Sequence, residues 1–327
     1  MYNWKELLEK VNGEIARMPF DRKPAELYAP IRYVLSIGGK RIRPVLMLMG
    51  YNLYREDVES IFSQALGIEV YHNYTLLHDD LMDRADMRRG MPTVHKKWND
   101  NAAVLSGDSM LVMAYRYMEQ GCPEGKLGEV MRLFTETALE IGEGQQYDID
   151  FESREDVTEE EYIEMIRLKT SVLLACALKI GATLAGAPAQ DAGLLYEFGE
   201  NLGLAFQLQD DYLDVYGDPE VFGKNVGGDI LCNKKTYMLI NAFRLAGGED
   251  RKALLEWTGK PEGSYVPEEK IAAVTALYNK IGIRGLCDRK IRHYFDEARK
   301  VWERLDLPDE RKVPLWEMAL SLLGRKS

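Results

Sequence analysis

Apolar residues recur with helical spacing along most of the chain. Long stretches place them three and four residues apart, which puts their side chains on one face of an α-helix. The clearest stretches cover residues 57–78, 99–118, 126–145, 158–185 and 191–216. Few segments alternate apolar and polar residues as a half-buried strand does. The pattern therefore predicts an all-α protein.

The breaks between the predicted helices are short and rich in turn residues. They fall at Gly121–Gly125, Gly186–Pro188 and Gly223–Gly228. The segment Gly247–Lys270 has a weaker pattern and is predicted to form short helices joined by turns. We see no long linker and no low-complexity tract. We therefore predict a single domain over residues 1–327, a large helical bundle whose core can hold a ligand between helices.

Composition narrows the possible partners and location. The net charge is −11, which disfavours nucleic acid as a partner but leaves a phosphorylated ligand open. The first 18 residues lack the apolar core of a signal peptide. Residues 172–189 are the best membrane-span candidate, but Lys179 and Pro188 favour a buried helix, so we expect no integral membrane segment. The cysteines are far apart and predict reduced thiols in the cytoplasm; they are Cys122, Cys176, Cys232 and Cys287.

Two aspartate clusters share one spacing. Asp79, Asp80 and Asp83 follow an apolar run, and Asp210, Asp211 and Asp214 follow another. On a helix the first and last members of each cluster point the same way. Because like charges at this spacing repel, two such clusters indicate a bound cation. Mg²⁺ fits, since it binds one or two carboxylates together with phosphate oxygens and water.

Basic residues stand near these clusters in the sequence. The block Gly38–Pro44 (GGKRIRP) places three cations beside a glycine pair, and Arg88 and Arg89 follow the first aspartate cluster. Arginine presents a fork that suits phosphate oxygens, and lysine supplies a point charge. Lys169, Lys224 and Lys234 are further candidates. Each of these residues alone can be an ordinary solvated charge, and only their coincidence with the aspartates makes them candidates.

The pair Glu69 and His72 has the ExxH spacing of a di-iron site in a helical bundle. Such a site needs a second pair. No other histidine (His78, His95 or His293) has a glutamate three residues before it. We therefore discard the di-iron hypothesis.

Taken together, these blocks resemble the trans-isoprenyl diphosphate synthases, also called polyprenyl synthetases, of the short-chain farnesyl and geranylgeranyl type. The matching blocks are Gly38–Pro44, Leu76–Pro92, Lys169-Thr170, Phe206–Asp214 and Gly223–Lys235. The resemblance implies an all-α fold of the isoprenoid synthase type with a central apolar cavity. It also implies a homodimer that condenses isopentenyl diphosphate with an allylic diphosphate of C5–C15.

The resemblance also implies residue roles. Asp79 and Asp83 would hold two Mg²⁺ and Asp210 a third, with Asp80, Asp211 and Asp214 supporting them. The allylic diphosphate side would comprise Arg88, Lys169, Thr170, Gln207, Lys224 and Lys234. The isopentenyl diphosphate side would comprise Lys40, Arg43, His72 and Arg89.

Product length is expected to depend on the residues just before the first aspartate cluster. Tyr74 and Thr75 precede Asp79 by five and four residues, about 6–8 Å along a helix. In the resembling family, a bulky residue at the place of Tyr74 closes the pocket for the growing chain. The predicted product is therefore C15 or C20, with C20 favoured. Met110, Met113 and Tyr117 are candidates for the facing wall, and the alternative is that Tyr74 is an ordinary core residue.

Three other functions account for part of this pattern. A class I terpene cyclase also uses an aspartate-rich motif and Mg²⁺, but its second metal motif normally mixes Asn, Ser or Thr with Glu. A non-catalytic subunit of a heteromeric prenyl synthase would be expected to have lost carboxylates that are intact here. A helical scaffold with acidic faces would leave the paired motifs unexplained.

Overall fold

A computed structural model describes residues 1–218, 226–261 and 263–324. The first helices are α1 Trp4–Arg17, α2 Ala25–Ser36, α3 Ile42–Asn52, α4 Phe62–Met82, α5 Val94–Lys97, α6 Asp100–Glu119, α7 Glu124–Ser153 and α8 Glu159–Ile166. They are followed by α9 Val172–Ala185, α10 Ala189–Tyr216, α11 Gly228–Leu231, α12 Tyr237–Leu245, α13 Gly248–Gly259, α14 Pro267–Ile281, α15 Ile283–Glu303 and α16 Asp309–Leu323. A 3-10 turn at Val58–Ile61 leads into α4, and a π-helical segment, Arg167–Ser171, joins α8 to α9.

The all-α prediction is confirmed. Strand structure in the described ranges amounts to one short antiparallel hairpin, β1 Met87–Arg88 and β2 Met91–Pro92. The stretches predicted as helices are helical, and the segment 247–270 forms α13, a turn and the start of α14, as expected. Residues 223–225 of the predicted break at 223–228 lie outside the described residues.

The contacts divide the chain into two compact units. Unit 1 comprises residues 1–135, 176–196 and 306–316; unit 2 comprises residues 136–175, 197–305 and the chain from Glu317. In unit 1, α4 packs along α6 and also contacts α3. In unit 2, buried apolar side chains of α8, α10, α12, α14 and α15 form a core. The single domain predicted for residues 1–327 stays a prediction.

The most apolar part of the chain lies in the interior. The helical run Glu159–Ala185 is long and apolar enough to cross a membrane, but 78% of its most apolar 18-residue window is buried within the protein. The core helix of a globular protein passes the same test. The prediction of a buried helix at residues 172–189 is confirmed for α9, which covers Val172–Ala185 of that segment.

Local signals explain where the functional helices begin and end. The Thr158 side chain accepts a hydrogen bond from the Glu161 amide, and the Glu161 carboxylate accepts one from the Thr158 amide. This capping box begins α8, whose continuation carries Lys169. Helix α4 ends on Met82, so Asp79 and Asp80 of the first aspartate cluster lie in its last turn and Asp83 directly follows it.

Candidate active site

In the first aspartate cluster, the middle carboxylate is used inside the protein. Asp80 is buried, and Arg88 Nε lies 2.7 and 2.8 Å from its two oxygens. Burial raises the pKa of Asp80 to about 6, although Arg88 opposes the shift. Asp79 is partly exposed and Asp83 is exposed, one helical turn apart. The hairpin after α4 thus brings Arg88 back onto Asp80, while the two outer aspartates are the more accessible ones.

The second cluster shows the same division in unit 2. Asp211 is buried and accepts hydrogen bonds from the Tyr162 hydroxyl and from Gln207 Nε2, the latter at 2.9 Å. Burial raises the pKa of Asp211 above that of an ordinary aspartate. Asp210 and Asp214 are partly exposed. In both clusters, therefore, the second aspartate is bonded within the fold.

A further carboxylate, which the sequence analysis did not single out, joins the second cluster. The Asp229 amide donates to Asp214 Oδ2 at 2.9 Å, and the Gly227 amide donates to the Asp214 carbonyl at 2.5 Å. Burial raises the pKa of Asp229, and the neighbouring Asp211 and Asp214 raise it further. Asp229 lies in the block Gly223–Lys235, from which only the lysines were predicted to be site residues. The presence of an aspartate in that block was the sequence signal that could have identified it.

Two predicted lysines meet at one carboxylate, Asp148 of α7. Lys169 Nζ lies 2.6 Å and Lys234 Nζ 3.9 Å from Asp148 Oδ2. Burial acts to raise the pKa of Asp148, but the two lysines outweigh it and the pKa is lowered. Asp148 is therefore ionised and fixes two of the predicted allylic-side cations beside each other. Asp148 was not predictable as a site residue, because nothing in the sequence pattern of α7 indicates its partners.

The predicted residues Thr170 and Gln207 also come together. Thr170 Oγ1 donates to Gln207 Oε1 at 3.1 Å, and the Gln207 amide nitrogen donates to Asp211. A chain of hydrogen bonds thus links Thr170 to the second aspartate cluster. This part of the predicted allylic side forms one polar network in unit 2.

The π-helical segment that carries Lys169 and Thr170 is packed between two glycines. A Cβ placed on Gly144 of α7 would lie 2.4 Å from the Lys169 backbone nitrogen. One placed on Gly203 of α10 would lie 2.6 Å from Ser171 Cα. Wide helical turns of this kind occur frequently at functional sites. Here they require neighbours without side chains.

Three residues of the predicted isopentenyl side form a basic group in unit 1. Arg43 Nη1 donates to His72 Nε2 at 3.0 Å, so His72 carries its proton on Nδ1. Burial, then Arg43 and Arg89, hold the pKa of His72 well below its usual value, and the ring is neutral. Arg89 donates to the Gly38 carbonyl, and a Cβ on Gly39 would meet its guanidinium at 2.6 Å. The glycine pair therefore makes room for Arg89.

The remaining arginine of GGKRIRP has an internal role. Arg41 Nη1 lies 2.6 Å from Glu69 Oε1, and both side chains are almost fully buried, at 3% and 2% exposure. Arg41 also donates to the Leu35 carbonyl at 2.5 Å. This ion pair accounts for Glu69 without a metal, so the ExxH spacing at Glu69 and His72 has a structural explanation. Lys40 is exposed.

Tyr74 belongs to a chain of aromatic rings in unit 1. Its ring centroid lies 5.5 Å from that of Tyr71 and 4.9 Å from that of His78. Tyr71 in turn contacts Phe134, and Phe134 contacts Tyr115. Thr75 Oγ1 donates to the His72 carbonyl at 2.8 Å. Tyr71 lies one helical turn before Tyr74 and could have been predicted from that spacing, whereas Tyr115 and Phe134 lie on other helices.

In the described part of the chain, no three His, Cys, Asp or Glu side chains converge closely enough to hold a metal by themselves. The outer aspartates nonetheless offer hard carboxylate oxygens, and Mg²⁺ needs only one or two of these when phosphates and water complete its shell. The donor set therefore fits Mg²⁺ bound together with a substrate. Lys224 lies outside the described residues.

A family model for polyprenyl synthetase matches residues 24–277. The chain belongs to the polyprenyl synthetase family. This confirms the predicted resemblance and the reaction class, prenyl transfer between diphosphates.

The names of several relatives of this polyprenyl synthetase state the length of their own products. A geranylgeranyl diphosphate synthase of Methanosarcina mazei is 42% identical, over 93% of this chain and 91% of that one. A geranylfarnesyl diphosphate synthase of Natronomonas pharaonis is 39% identical, over 72% and 74%. A crystal structure of a geranylgeranyl pyrophosphate synthase is 44% identical, covers both chains fully and superposes with a TM-score of 0.94. The last similarity confirms the isoprenoid synthase type of fold.

Proposed function

We propose that this polyprenyl synthetase is a Mg²⁺-dependent geranylgeranyl diphosphate synthase. It adds isopentenyl diphosphate to allylic diphosphates of C5 to C15 and releases a C20 product. The observation that carries the proposal is the pair of aspartate clusters, each with its second aspartate bonded internally and its outer ones more exposed. The names of the geranylgeranyl synthases at 42% and 44% identity favour C20 over C15.

Asp79, Asp83 and Asp210 are the proposed metal ligands, for three Mg²⁺ in each active site. Asp80 supports these ligands by fixing Arg88. Asp211 fixes Gln207, and Asp214 fixes the Asp229 amide. When bound, Mg²⁺ supplies charge neutralisation to the departing diphosphate.

Basic side chains bind the allylic diphosphate and stabilise the charge that develops as its carbon–oxygen bond breaks. Lys169 and Lys234 carry most of this role, because Asp148 holds both in place. Arg88 and Lys224 are proposed for the same diphosphate. Thr170, fixed by Gln207, places its hydroxyl oxygen beside the allylic cation.

A second basic group binds isopentenyl diphosphate. Arg43 and Arg89 offer guanidinium groups, Lys40 adds a point charge, and the neutral His72 donates through Nδ1. The alkene attacks the allylic cation, a carbon–carbon bond forms, and a proton leaves the adjacent carbon. No side-chain base is assigned, and the released diphosphate takes the proton. Water must be excluded throughout because it would trap the cation.

Product length is proposed to be limited by Tyr74. Tyr74 stands five residues before Asp79 on α4, and its ring contacts the rings of Tyr71 and His78. Thr75 is small and adds no second aromatic barrier. The geranylfarnesyl name of a relative at 39% identity makes C25 the competing length.

A homodimer is proposed, with α6 contributing to the interface. Leu105 and Val112 lie two turns apart on this helix and are 59% and 70% exposed. Large apolar side chains on one helix face are a usual mark of association. The enzyme is proposed to work in the cytoplasm, which the four cysteines without disulfides support.

The experiment is to replace Asp79 and, separately, Asp210 by asparagine. We expect kcat to fall on the order of 100-fold or more in each variant, since charge stabilisation of the departing diphosphate is lost. Circular dichroism should remain that of the wild type. Asp86→Asn is the control, because Asp86 is exposed and pairs with Lys96. Full activity of Asp79→Asn and Asp210→Asn would rule out the proposed ligands.

A further inference from the structure

The turn that brings Asp229 to the second aspartate cluster is one hydrogen-bonded segment, Gly227–Lys234. Amides at its start bond to Asp214, as described above. The Lys234 amide donates to the Asp229 carbonyl at 2.9 Å. Within this segment lies the one-turn helix α11, Gly228–Leu231. A helix of this length does not hold itself in place, because too few hydrogen bonds offset the cost of ordering it.

Lys270 of α14 anchors this segment from behind. Its side chain is fully buried, and its Nζ lies 3.1 Å from the carbonyl oxygen of Leu231, the last residue of α11. The same ammonium contacts the Tyr265 hydroxyl at 3.4 Å and lies 4.7 Å from the centre of the Tyr265 ring. The Tyr265 hydroxyl also donates to the Leu231 carbonyl, at 3.5 Å. Two donors thus converge on one backbone acceptor.

Lys270 forms no salt bridge with any residue that the structure describes. A buried ammonium without a carboxylate partner is costly to desolvate, and an apolar side chain of similar length would avoid that cost. The charge at this position is therefore not explained by core packing alone. Among the described residues, the backbone group that the Lys270 ammonium contacts is the Leu231 carbonyl, in the segment that carries Asp229.

Ile271, the residue after Lys270, packs against Gly227 at the start of α11. Gly227 has φ +91°, and a Cβ placed on it would lie 2.5 Å from Ile271 Cδ1. Lys270 and Ile271 of α14 therefore contact the two ends of α11, one through a hydrogen bond and one through close packing.

We propose that Lys270 is a positioning residue for the allylic half of the active site. It holds the segment Gly227–Lys234 so that Asp229 meets Asp214 and Lys234 stays near Asp148. It touches neither substrate nor metal. This inference rests on the proposed function, and it predicts that losing Lys270 harms allylic diphosphate and Mg²⁺ binding while leaving isopentenyl diphosphate binding intact.

The test uses Lys270→Met in the full-length protein, with Lys280→Met as its control. Lys280 is on the same helix, 67% exposed, and pairs with Asp250. Calorimetry with Mg²⁺ and an unreactive geranyl thiolodiphosphate reports allylic binding without turnover. We expect the affinity to fall about tenfold for Lys270→Met, the effect of losing one hydrogen bond from a charged donor. The Mg²⁺ concentration that gives half-maximal activity should rise, and KM for isopentenyl diphosphate should stay unchanged. Lys280→Met should match the wild type in all of these measurements.

Unchanged allylic affinity and Mg²⁺ requirement in Lys270→Met would overturn the inference, as would an equal loss in the KM values of both substrates. Should Lys270→Met fail to fold, Tyr265→Phe decides, because it removes the hydroxyl that donates to Leu231 and accepts from Lys270 but keeps the ammonium and the aromatic ring. We expect a smaller shift in the same direction, and no shift overturns the inference. A wild-type enzyme that does not elongate any allylic diphosphate would instead refute the proposed function.

Discussion

Lys169 Nζ lies 2.6 Å from Asp148 Oδ2, so a predicted cation of the active site is held by a carboxylate on another helix. Lys234 shares the same oxygen at 3.9 Å. The two lysines lower the pKa of Asp148 despite its burial. Asp148 is therefore more readily ionised in the folded protein than in the unfolded chain.

This ion pair gives a stability prediction. Asp148→Asn should lower the free energy of unfolding at pH 7 by about 1–2 kcal/mol, because a hydrogen bond to a charged group is lost. Since the folded pKa of Asp148 is depressed, its stabilising effect is present above the unfolded pKa of about 3.9 and is lost as pH falls through the folded value. Urea denaturation at pH 7 and pH 3 measures this, and the difference between variant and wild type should shrink at the lower pH. Asp150→Asn on the same helix is the control, and a difference that does not change with pH would contradict the account.

The glycines around the π-helical segment give a second prediction. Gly203→Ala should destabilise the protein by about 1–3 kcal/mol, since the new methyl group collides with the Ser171 backbone. Gly193→Ala on the same helix is the matched control, because nothing lies within 4 Å of its added methyl group. An alanine in an open helical position should be neutral or stabilising by about 0.5–1 kcal/mol. Equal midpoints of chemical denaturation for the two variants would count against the close packing.

His72 gives a prediction about acid stability. Its folded pKa lies well below the unfolded value of about 6.5, so the unfolded chain takes up its proton first as pH falls. Stability should therefore drop below pH 6.5, by up to about 1.4 kcal/mol per pH unit from this residue. His72→Gln keeps an acceptor for Arg43 and removes the titration. The free energy of unfolding is measured for the wild type and for His72→Gln from pH 7.5 to pH 5. The difference, wild type minus variant, should decline as the pH falls, and a difference that does not change would show that His72 is not held neutral.

Tyr74 gives a prediction about product length. Tyr74→Ala should lengthen the product beyond C20, because the ring that limits the pocket is removed. Tyr74→Phe keeps the ring and should keep the product. Chromatography of the dephosphorylated alcohols measures the chain lengths. Tyr74→Ala with the product distribution of the wild type would remove Tyr74 as the limiting residue and leave it as an ordinary core tyrosine.

The sequence predicted the helices and the aspartate clusters because both are local patterns. Apolar spacing sets the helices, and the Asp79 to Asp83 spacing puts two carboxylates on one face wherever that helix packs. Contacts between distant segments were not predictable in this way. The sequence grouped Arg41 with Arg43, yet a left-handed backbone at Arg41 (φ 48°) directs it to Glu69 instead. Asp148 and Asp229 were missed because their partners lie on other helices and turns.

The most direct test of the account is to size the products of the purified protein. It is incubated with isopentenyl diphosphate, Mg²⁺ and, in separate reactions, dimethylallyl, geranyl or farnesyl diphosphate; parallel reactions omit isopentenyl diphosphate or replace Mg²⁺ with a chelator. We predict a C20 linear diphosphate from all three allylic substrates, formed only when isopentenyl diphosphate and Mg²⁺ are both present. Absence of elongation from every allylic substrate, or a cyclic hydrocarbon made without isopentenyl diphosphate, would contradict it.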